Sequence, residues 1–221
     1  MFVRVAEVDR LDVRTHAPAT RVAREPNHVR INDEEFDEVI FTNDLPDAVR
    51  MLQAPSELER AVSESLTAST FITTLFEADR WPVRARMGYV MNPLLPNPSF
   101  SLSGVRDIRY RFPEASGEGC AAVAYQYADR LLTPTEVDGF AARFLPEMGV
   151  LGFQGVRVIR TAVWPYFFRF TKPAVAAGLP WRLFAEQGTQ RTWFAGSSAC
   201  FESLNDVMRY NLLLVERYAE T

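Results

Sequence analysis

Residues Arg191 to Tyr218 read RTWFAGSSACFESLNDVMRYNLLLVERY and carry the strongest structural signal in the chain. The short apolar run Thr192–Ala195 predicts a buried strand, and small residues follow it. From Ser203 onward, apolar residues recur at helical spacing, which predicts a last helix with one buried face. That face comprises Val207, Tyr210, Asn211, Leu214 and Tyr218. A strand, a turn rich in backbone N–H groups and a helix N-terminus together can form a binding site for an anion. A tight connection in an α/β domain explains the same residues equally well, and both interpretations stay open here.

The composition and charge of the chain argue against several classes of function. The 221 residues are 48% hydrophobic, which is ample for a core, and the net charge of −4 argues against a nucleic-acid surface. No apolar run is long enough to span a membrane, and no signal peptide is visible. Two distant cysteines, Cys120 and Cys200, and two histidines, His16 and His28, give neither a disulfide framework nor a metal site. We therefore expect a cytoplasmic protein without a metal.

The first 68 residues predict short strands and two helices. Residues 21–24 and 28–31 flank a Glu-Pro-Asn turn in a hairpin-like pattern, and residues 37–42 predict a buried strand. Residues 47–52 predict a helix. A second helix should begin at Ser56, because Glu59 stands three residues later in the capping-box position.

Residues 70–150 predict an antiparallel sheet with a covering helix. Strands are expected near 70–76, 83–91, 99–103, 108–112 and 121–127. The helix should start at Thr133, with Pro134 at its first position and Glu136 completing a capping box. Further on, residues 156–160 predict a strand, and Trp164–Phe170 holds five aromatics in seven positions. Such a run indicates either core or an aromatic wall for a flat apolar ligand.

Three blocks in this order resemble the carboxy-terminal half of flavin-containing amine oxidases and related FAD-dependent oxidoreductases. Glu35–Asn43 is similar to the family's Tyr-Asp-x-Val-Ile-x-Ala-Thr strand. Val163–Phe167 resembles the Trp-containing segment near the flavin. Trp193–Ser198 resembles the Phe-Ala-Gly-acid signature before the last helix. The resemblance implies a strand end and helix N-terminus that meet FAD.

The chain departs from that family in three ways. It has no Gly-x-Gly-x-x-Gly motif, and Val5–Asp12 already matches the middle of a family member. The strand-like stretch from Thr70 to Trp81 lacks the lysine that holds a water near the flavin in many amine oxidases. Ser197 stands where the family has a carboxylate. The resemblance therefore implies a second chain that carries the dinucleotide-binding half, unless the chain is a fragment or has been repurposed.

The predicted fold class is α/β (α+β), with a partial FAD-binding Rossmann-like domain and a substrate domain whose mixed or antiparallel sheet is covered by helices. Residues 1–68 and 161–221 would belong to the FAD-binding domain and 69–160 to the substrate domain. The expected FAD contacts, shared with the partner chain, are Gly196, Ser197, Ser198, Ser203, Leu204 and Trp164. The expected substrate contacts are Tyr125, Tyr166 and Phe167.

Two functions remain open from the sequence. The leading hypothesis is the substrate-binding and flavin-capping subunit of a split FAD-dependent oxidoreductase, acting on a small apolar or aromatic substrate. The alternative is a half-flavoprotein without redox chemistry, serving as a binding or assembly subunit or as a cofactor-free catalyst on an apolar substrate. Catalytic residues are not identified; Glu77, Asp79 and Glu202 are the carboxylates considered.

Overall fold

The computed structural model describes residues 11–80, 87–89, 105–111 and 121–219, the two short ranges as backbone alone. By compactness the chain divides into two units, one made of residues 1–65 and 172–221 and the other of 66–171. The fold is α+β, with antiparallel and parallel sheets and helices, as predicted. The functional boundaries at 68 and 160 stay predictions. Cys120 and the expected strand at 99–103 lie outside the described residues.

Two small sheets and five helices form the described part of the first unit. The strands β1 (Val22–Arg24), β2 (Val29–Ile31) and β3 (Glu34–Phe36) form an antiparallel sheet, and the predicted hairpin pairs Val22 with Ile31. The strands β4 (Val39–Phe41) and β10 (Thr192–Phe194) pair in parallel. The helices are α1 (Leu45–Met51), α2 (Glu57–Ser65), α4 (Lys172–Ala176), α5 (Leu179–Ala185) and α6 (Leu204–Ala219).

The start of α2 is fixed by side chains that the sequence places locally. The Glu59 amide donates to the Ser56 hydroxyl at 3.1 Å, and the Ser56 amide donates to the Glu59 carboxylate at 2.6 Å, so the predicted capping box is confirmed. The same carboxylate lies 2.5 Å from the guanidinium of Arg24, and both side chains are at least 90% buried. This ion pair ties β1 to α2.

The second unit is one antiparallel sheet with a helix on one face. Its strands lie in the order β6 (Met87–Tyr89), β7 (Val105–Arg111), β8 (Ala121–Ala128), β5 (Leu66–Glu77) and β9 (Arg157–Phe170). The helix α3 (Pro134–Val150) begins with the capping box predicted at Thr133. Its aromatic and methionine side chains pack on alternate residues of β5 and β8. This core contains Phe76, Ala122, Ala124, Phe140, Phe144 and Met148.

The aromatic run near residue 165 is not core. It belongs to β9, which continues without a break from Arg157 to Phe170 and lies at the edge of the sheet. Trp164 is 53% exposed and Tyr166 is 39% exposed, because α3 covers only the opposite face of the sheet. Aromatic content predicts burial only on average, and an edge strand with one uncovered face is an exception.

Candidate functional site

The ends of the two parallel strands come together at Gly196. An added Cβ at this residue would lie 2.6 Å from the carbonyl oxygen of Asn43 and 3.0 Å from that of Thr42, so only glycine fits. The Ala195 amide donates to the Phe41 carbonyl at 2.8 Å and closes the corner. Two strand ends and a short 3₁₀ turn at 197–199 thus form the corner that the sequence singled out.

The two serines of this corner have different surroundings. Ser198 is 98% buried, and its hydroxyl accepts a hydrogen bond from the Leu45 amide at 2.8 Å, which anchors the start of α1. Ser197 is half-buried, and no described residue hydrogen-bonds to its hydroxyl. Burial raises the pKa of the nearby Asp44 carboxyl. Ser197 is therefore the hydroxyl of this corner that remains available to a ligand.

The start of α6 is stabilised by its own residues. The Asp206 amide donates to the Ser203 hydroxyl at 3.1 Å, and this hydroxyl donates to the Asp206 carboxylate. Leu204 is 77% exposed. Ser203 is thus a helix cap, and its hydroxyl already has two partners.

The helix α6 is only partly covered. Leu214 is buried, and Val207, Tyr210 and Asn211 are half-buried, as the predicted face requires. Tyr218 is largely exposed, although its ring meets the Trp193 ring edge-on at 5.6 Å. A second apolar stripe faces outward. It contains Leu204, Met208, Leu212 and Val215, each more than half exposed.

The second unit brings the predicted substrate residues together. On the sheet face opposite α3, the Phe71 ring stacks on Tyr125 with centroids 5.2 Å apart and on Tyr166 at 4.9 Å. The ring centroids of Tyr166 and Phe167 are 6.4 Å apart. The indole N–H of Trp164 donates to the Thr73 hydroxyl at 3.3 Å on the same face. We call this set, residues 71, 73, 125, 164, 166 and 167, the aromatic face.

One end of the aromatic face is polar and positively charged. The Arg169 guanidinium donates to the Ser69 hydroxyl and to the Asp129 carbonyl, each at 2.8 Å. Tyr127 shares a hydrogen bond of 2.6 Å with Ser69. Here the pairing of β5 with β9 shifts register, and Phe167 has φ of +56°, a strained conformation for a bulky side chain.

Sequence reasoning missed Phe71, Thr73 and Arg169. Along β5, half-buried residues alternate with buried ones, which separates Phe71 and Thr73 from Ile72 and Phe76. The amino-acid types do not show this alternation, because threonines also occupy buried positions and apolar residues occur on both faces. The pairing that sets Phe71 between two tyrosines comes only from the register of three strands.

The carboxylates considered for acid–base chemistry have structural partners. Asp79 lies 2.6 Å and Glu77 lies 3.6 Å from the guanidinium of Arg157. Within the described ranges, no cluster of three or more His, Cys, Asp or Glu side chains could hold a metal ion. No helix in the described part of the chain is long and apolar enough to cross a membrane.

A polar cleft of about 770 Å³ lies in the first unit, and its lining includes none of the predicted site residues. Arg24 and Arg191 line it together with Glu25 and Glu38. The Arg24 guanidinium is bound to Glu59, and the Arg191 guanidinium donates to the carbonyls of Pro26 and Asp37 at 3.3 Å. The cations of the cleft are therefore committed to the fold.

No family model matches the sequence, and no curated protein matches it. A solved structure, the CLA-producing fatty acid isomerase from P. acnes, matches 90% of this chain with a TM-score of 0.72 and 22% identity. An oxidoreductase from Methanosarcina mazei matches 66% of the chain at 14% identity with a TM-score of 0.48. The chain spans 47% of the isomerase and 36% of the oxidoreductase. The isomerase likeness shows a shared fold, one that occupies about half of the longer protein.

Proposed function

We propose that this chain is the substrate-binding and flavin-capping subunit of an FAD-dependent oxidoreductase of the amine oxidase type. Its substrate would be a small apolar or aromatic molecule, and a second chain would carry the dinucleotide-binding half. The aromatic face carries this proposal, because the residues expected to contact substrate gather there around Phe71. Clustered rings beside a few polar groups are typical of small-molecule sites.

The shared fold supports an apolar substrate. The protein whose structure matches this chain is a fatty acid isomerase. Aromatic rings bind apolar groups through their faces, and three rings stacked across neighbouring strands make a continuous apolar surface. The Arg169 guanidinium lies at one end of this surface, where it is held by the Ser69 hydroxyl and the Asp129 carbonyl.

The corner at Gly196 fits part of an FAD site. Ser197 offers a half-buried hydroxyl without a described partner, next to the buried Gly196. Ser198 and Ser203 are already bonded within the chain. FAD would supply the hydride or electron chemistry, while this chain would position it and stabilise charge. A single available hydroxyl is a modest set of contacts, which favours sharing FAD with the partner.

Reconstitution tests the proposal. The chain would be co-expressed with the product of the neighbouring reading frame, provided that this product carries Gly-x-Gly-x-x-Gly, and the purified complex examined for flavin absorbance. We expect a yellow complex whose flavin is reduced by an apolar amine or a similar substrate. Ser197→Ala should weaken flavin retention without lowering the melting temperature. Ser198→Ala should lower the melting temperature, because the Leu45 amide loses its buried partner.

The non-redox alternative is favoured by two observations. Ser197 replaces the carboxylate of the resembling family, and no lysine occurs in β5 from Leu66 to Glu77. A colourless complex that binds an apolar ligand on the aromatic face would support this alternative and contradict the oxidoreductase. Loss of that binding in Phe71→Ala, with binding kept in the surface variant Arg209→Ala, would locate the ligand.

A further inference from the structure

Two hydroxyl groups stand beside the aromatic face, on the same side of the sheet. Tyr127 pairs directly with Phe71, and the residues before and after it along β8 are buried. Because side chains alternate along a strand, the half-buried Tyr127 lies with the aromatic rings. Ser69, two residues before Phe71 on β5, shares this side of the sheet and is fully buried. The two hydroxyl oxygens are 2.6 Å apart.

A register shift brings Arg169 to the same place. Ser69 pairs with Tyr166. Two residues back along β5, Thr67 pairs with Arg169, which lies three residues further along β9, so β9 holds one extra residue between the two pairs. Regular pairing would set Phe168 across from Thr67, whereas the bulge sets Arg169 there and turns it to the side of Ser69. Its guanidinium donates to the Ser69 hydroxyl at 2.8 Å.

The direction of these hydrogen bonds follows from what each group can donate or accept. A guanidinium only donates, so the Ser69 oxygen accepts from Arg169. Ser69 then has one proton to give, and within the described ranges its hydroxyl has no hydrogen-bond partner besides Arg169 and Tyr127. If Tyr127 donated to Ser69, the Ser69 proton would be buried without an acceptor, which costs free energy. Ser69 therefore donates to Tyr127, and the phenol proton of Tyr127 is left for another acceptor.

This series of hydrogen bonds, from Arg169 through Ser69 to Tyr127, begins at a cation that the fold holds in place. The guanidinium also donates to the carbonyls of Asp129 at 2.8 Å and Phe167 at 3.3 Å, and it lies 5.7 Å from the centroid of the Phe167 ring. Donation from a cation, followed by a second hydrogen bond in the same direction, strengthens the last donor of the series. The Tyr127 proton is therefore a polarised donor beside the aromatic rings, and no residue in the described part of the chain accepts it.

We propose that Tyr127 donates a hydrogen bond to the ligand of the aromatic face, and that this ligand is an apolar or aromatic molecule with a carbonyl-type oxygen. Ser69 and Arg169 are positioning residues, because they set the direction and strength of this donor. The inference rests on the proposed function for the aromatic face as a substrate site, and it adds the polar group that the substrate presents there. A ketone, an amide or a carboxylate accepts such a bond, whereas an ammonium group only donates.

Replacing Tyr127 by phenylalanine removes the donor and keeps the ring. Acetophenone carries a carbonyl oxygen, and ethylbenzene has a similar shape without it. Titrations of the full chain, followed by nuclear magnetic resonance, measure the affinity for both probes. We expect Tyr127→Phe to weaken acetophenone binding about two- to tenfold, as for the loss of one hydrogen bond, and to leave ethylbenzene binding unchanged. Tyr218→Phe removes a phenol hydroxyl from the other unit and should change neither affinity.

Infrared spectroscopy of bound acetophenone reports the hydrogen bond itself. The C=O stretch should lie at lower frequency in the wild-type chain than in Tyr127→Phe, because a hydrogen bond weakens the C=O bond. Arg169→Met should give an intermediate frequency, since the series loses its cation, whereas a purely structural role of Arg169 would leave the wild-type frequency. Should Tyr127→Phe fail to fold because the Ser69 proton loses its acceptor, adding Ser69→Ala removes that buried donor and keeps the test.

The outcomes separate this inference from the proposed function. Equal weakening of both probes, unchanged acetophenone binding in Tyr127→Phe, or the same C=O frequency in both chains would each overturn the Tyr127 donor. Tighter binding of α-methylbenzylammonium that depends on Tyr127 would overturn the ligand class. Binding of neither probe would overturn the ligand site together with this inference. A flavin-loaded complex whose Tyr127→Phe variant binds acetophenone normally would refute this inference alone. A colourless complex with the expected Tyr127 dependence would refute the oxidoreductase and support the donor.

Discussion

Replacing Gly196 by alanine tests whether the corner of the parallel sheet depends on close approach. The backbone of Gly196 has φ of −76°, which alanine adopts freely, so any cost is steric. The new methyl group would meet the Asn43 carbonyl oxygen at 2.6 Å, and backbone atoms cannot swing aside as a flexible side chain would. Forced overpacking of this kind costs about 1–3 kcal/mol. At about 2 kcal/mol, the melting temperature should fall by roughly 4–8 °C in a chain of this size.

Gly139 provides the matched control. It lies inside α3, and a Cβ there meets nothing within 4 Å. Alanine is the better helix former by up to about 1 kcal/mol, so Gly139→Ala should raise the melting temperature by about 1–4 °C. Thermal unfolding followed by circular dichroism measures both variants. Equal shifts in the two, or an unchanged melting temperature in Gly196→Ala, would refute the steric account of the corner.

Three further perturbations follow from other contacts. Burial raises the pKa of Tyr210 to about 12, although the hydrogen bond from Gln187 acts to lower this pKa. The free energy of unfolding should keep this contribution below pH 10 and fall by about 2–3 kcal/mol as pH rises toward 12. Urea unfolding of Tyr210→Phe should show no such loss over the same pH range. A hydrogen bond from Arg130 lowers the pKa of Glu136 to about 2. The Glu136 carboxylate therefore stabilises the start of α3 above pH 4.5, and this stabilisation is lost toward pH 2. Hydrogen exchange near pH 2 should show the first turn of α3 opening before the rest of the helix. Arg24→Gln leaves the buried Glu59 carboxylate without its cation, so urea unfolding should show a loss of about 3–5 kcal/mol, and a loss below 1 kcal/mol would contradict the burial of this pair.

The sequence predicted features whose partners lie within a few residues. Both capping boxes, at Ser56 and Thr133, require only a side chain and an amide three positions away, and both formed as expected. The hairpin ending at Ile31 and the parallel strand at Val39–Phe41 likewise depend on local turns and apolar runs. These predictions needed no knowledge of the tertiary fold.

Features that depend on distant pairing were beyond the sequence. The aromatics of β9 were expected as core or as the wall of a ligand site, and only the position of β9 at the sheet edge shows that they are not core. The ligand wall stays a prediction. Phe71 lies at the centre of the cluster because two strand registers place tyrosines on both sides of it. Neither register can be derived from alternation within one strand.

The serines at the corner and at the start of α6 differ in the hydrogen bonds that they already make within the chain. Ser198 and Ser203 were both expected to contact the cofactor. The first hydroxyl, however, accepts from an amide 153 positions earlier in the chain, and the second caps α6. A buried hydroxyl with a good partner gains little by exchanging it for a ligand, since one hydrogen bond replaces another. Ser197 has no such bond among the described residues, so a contribution to cofactor affinity from this corner should come chiefly through Ser197 and the neighbouring backbone.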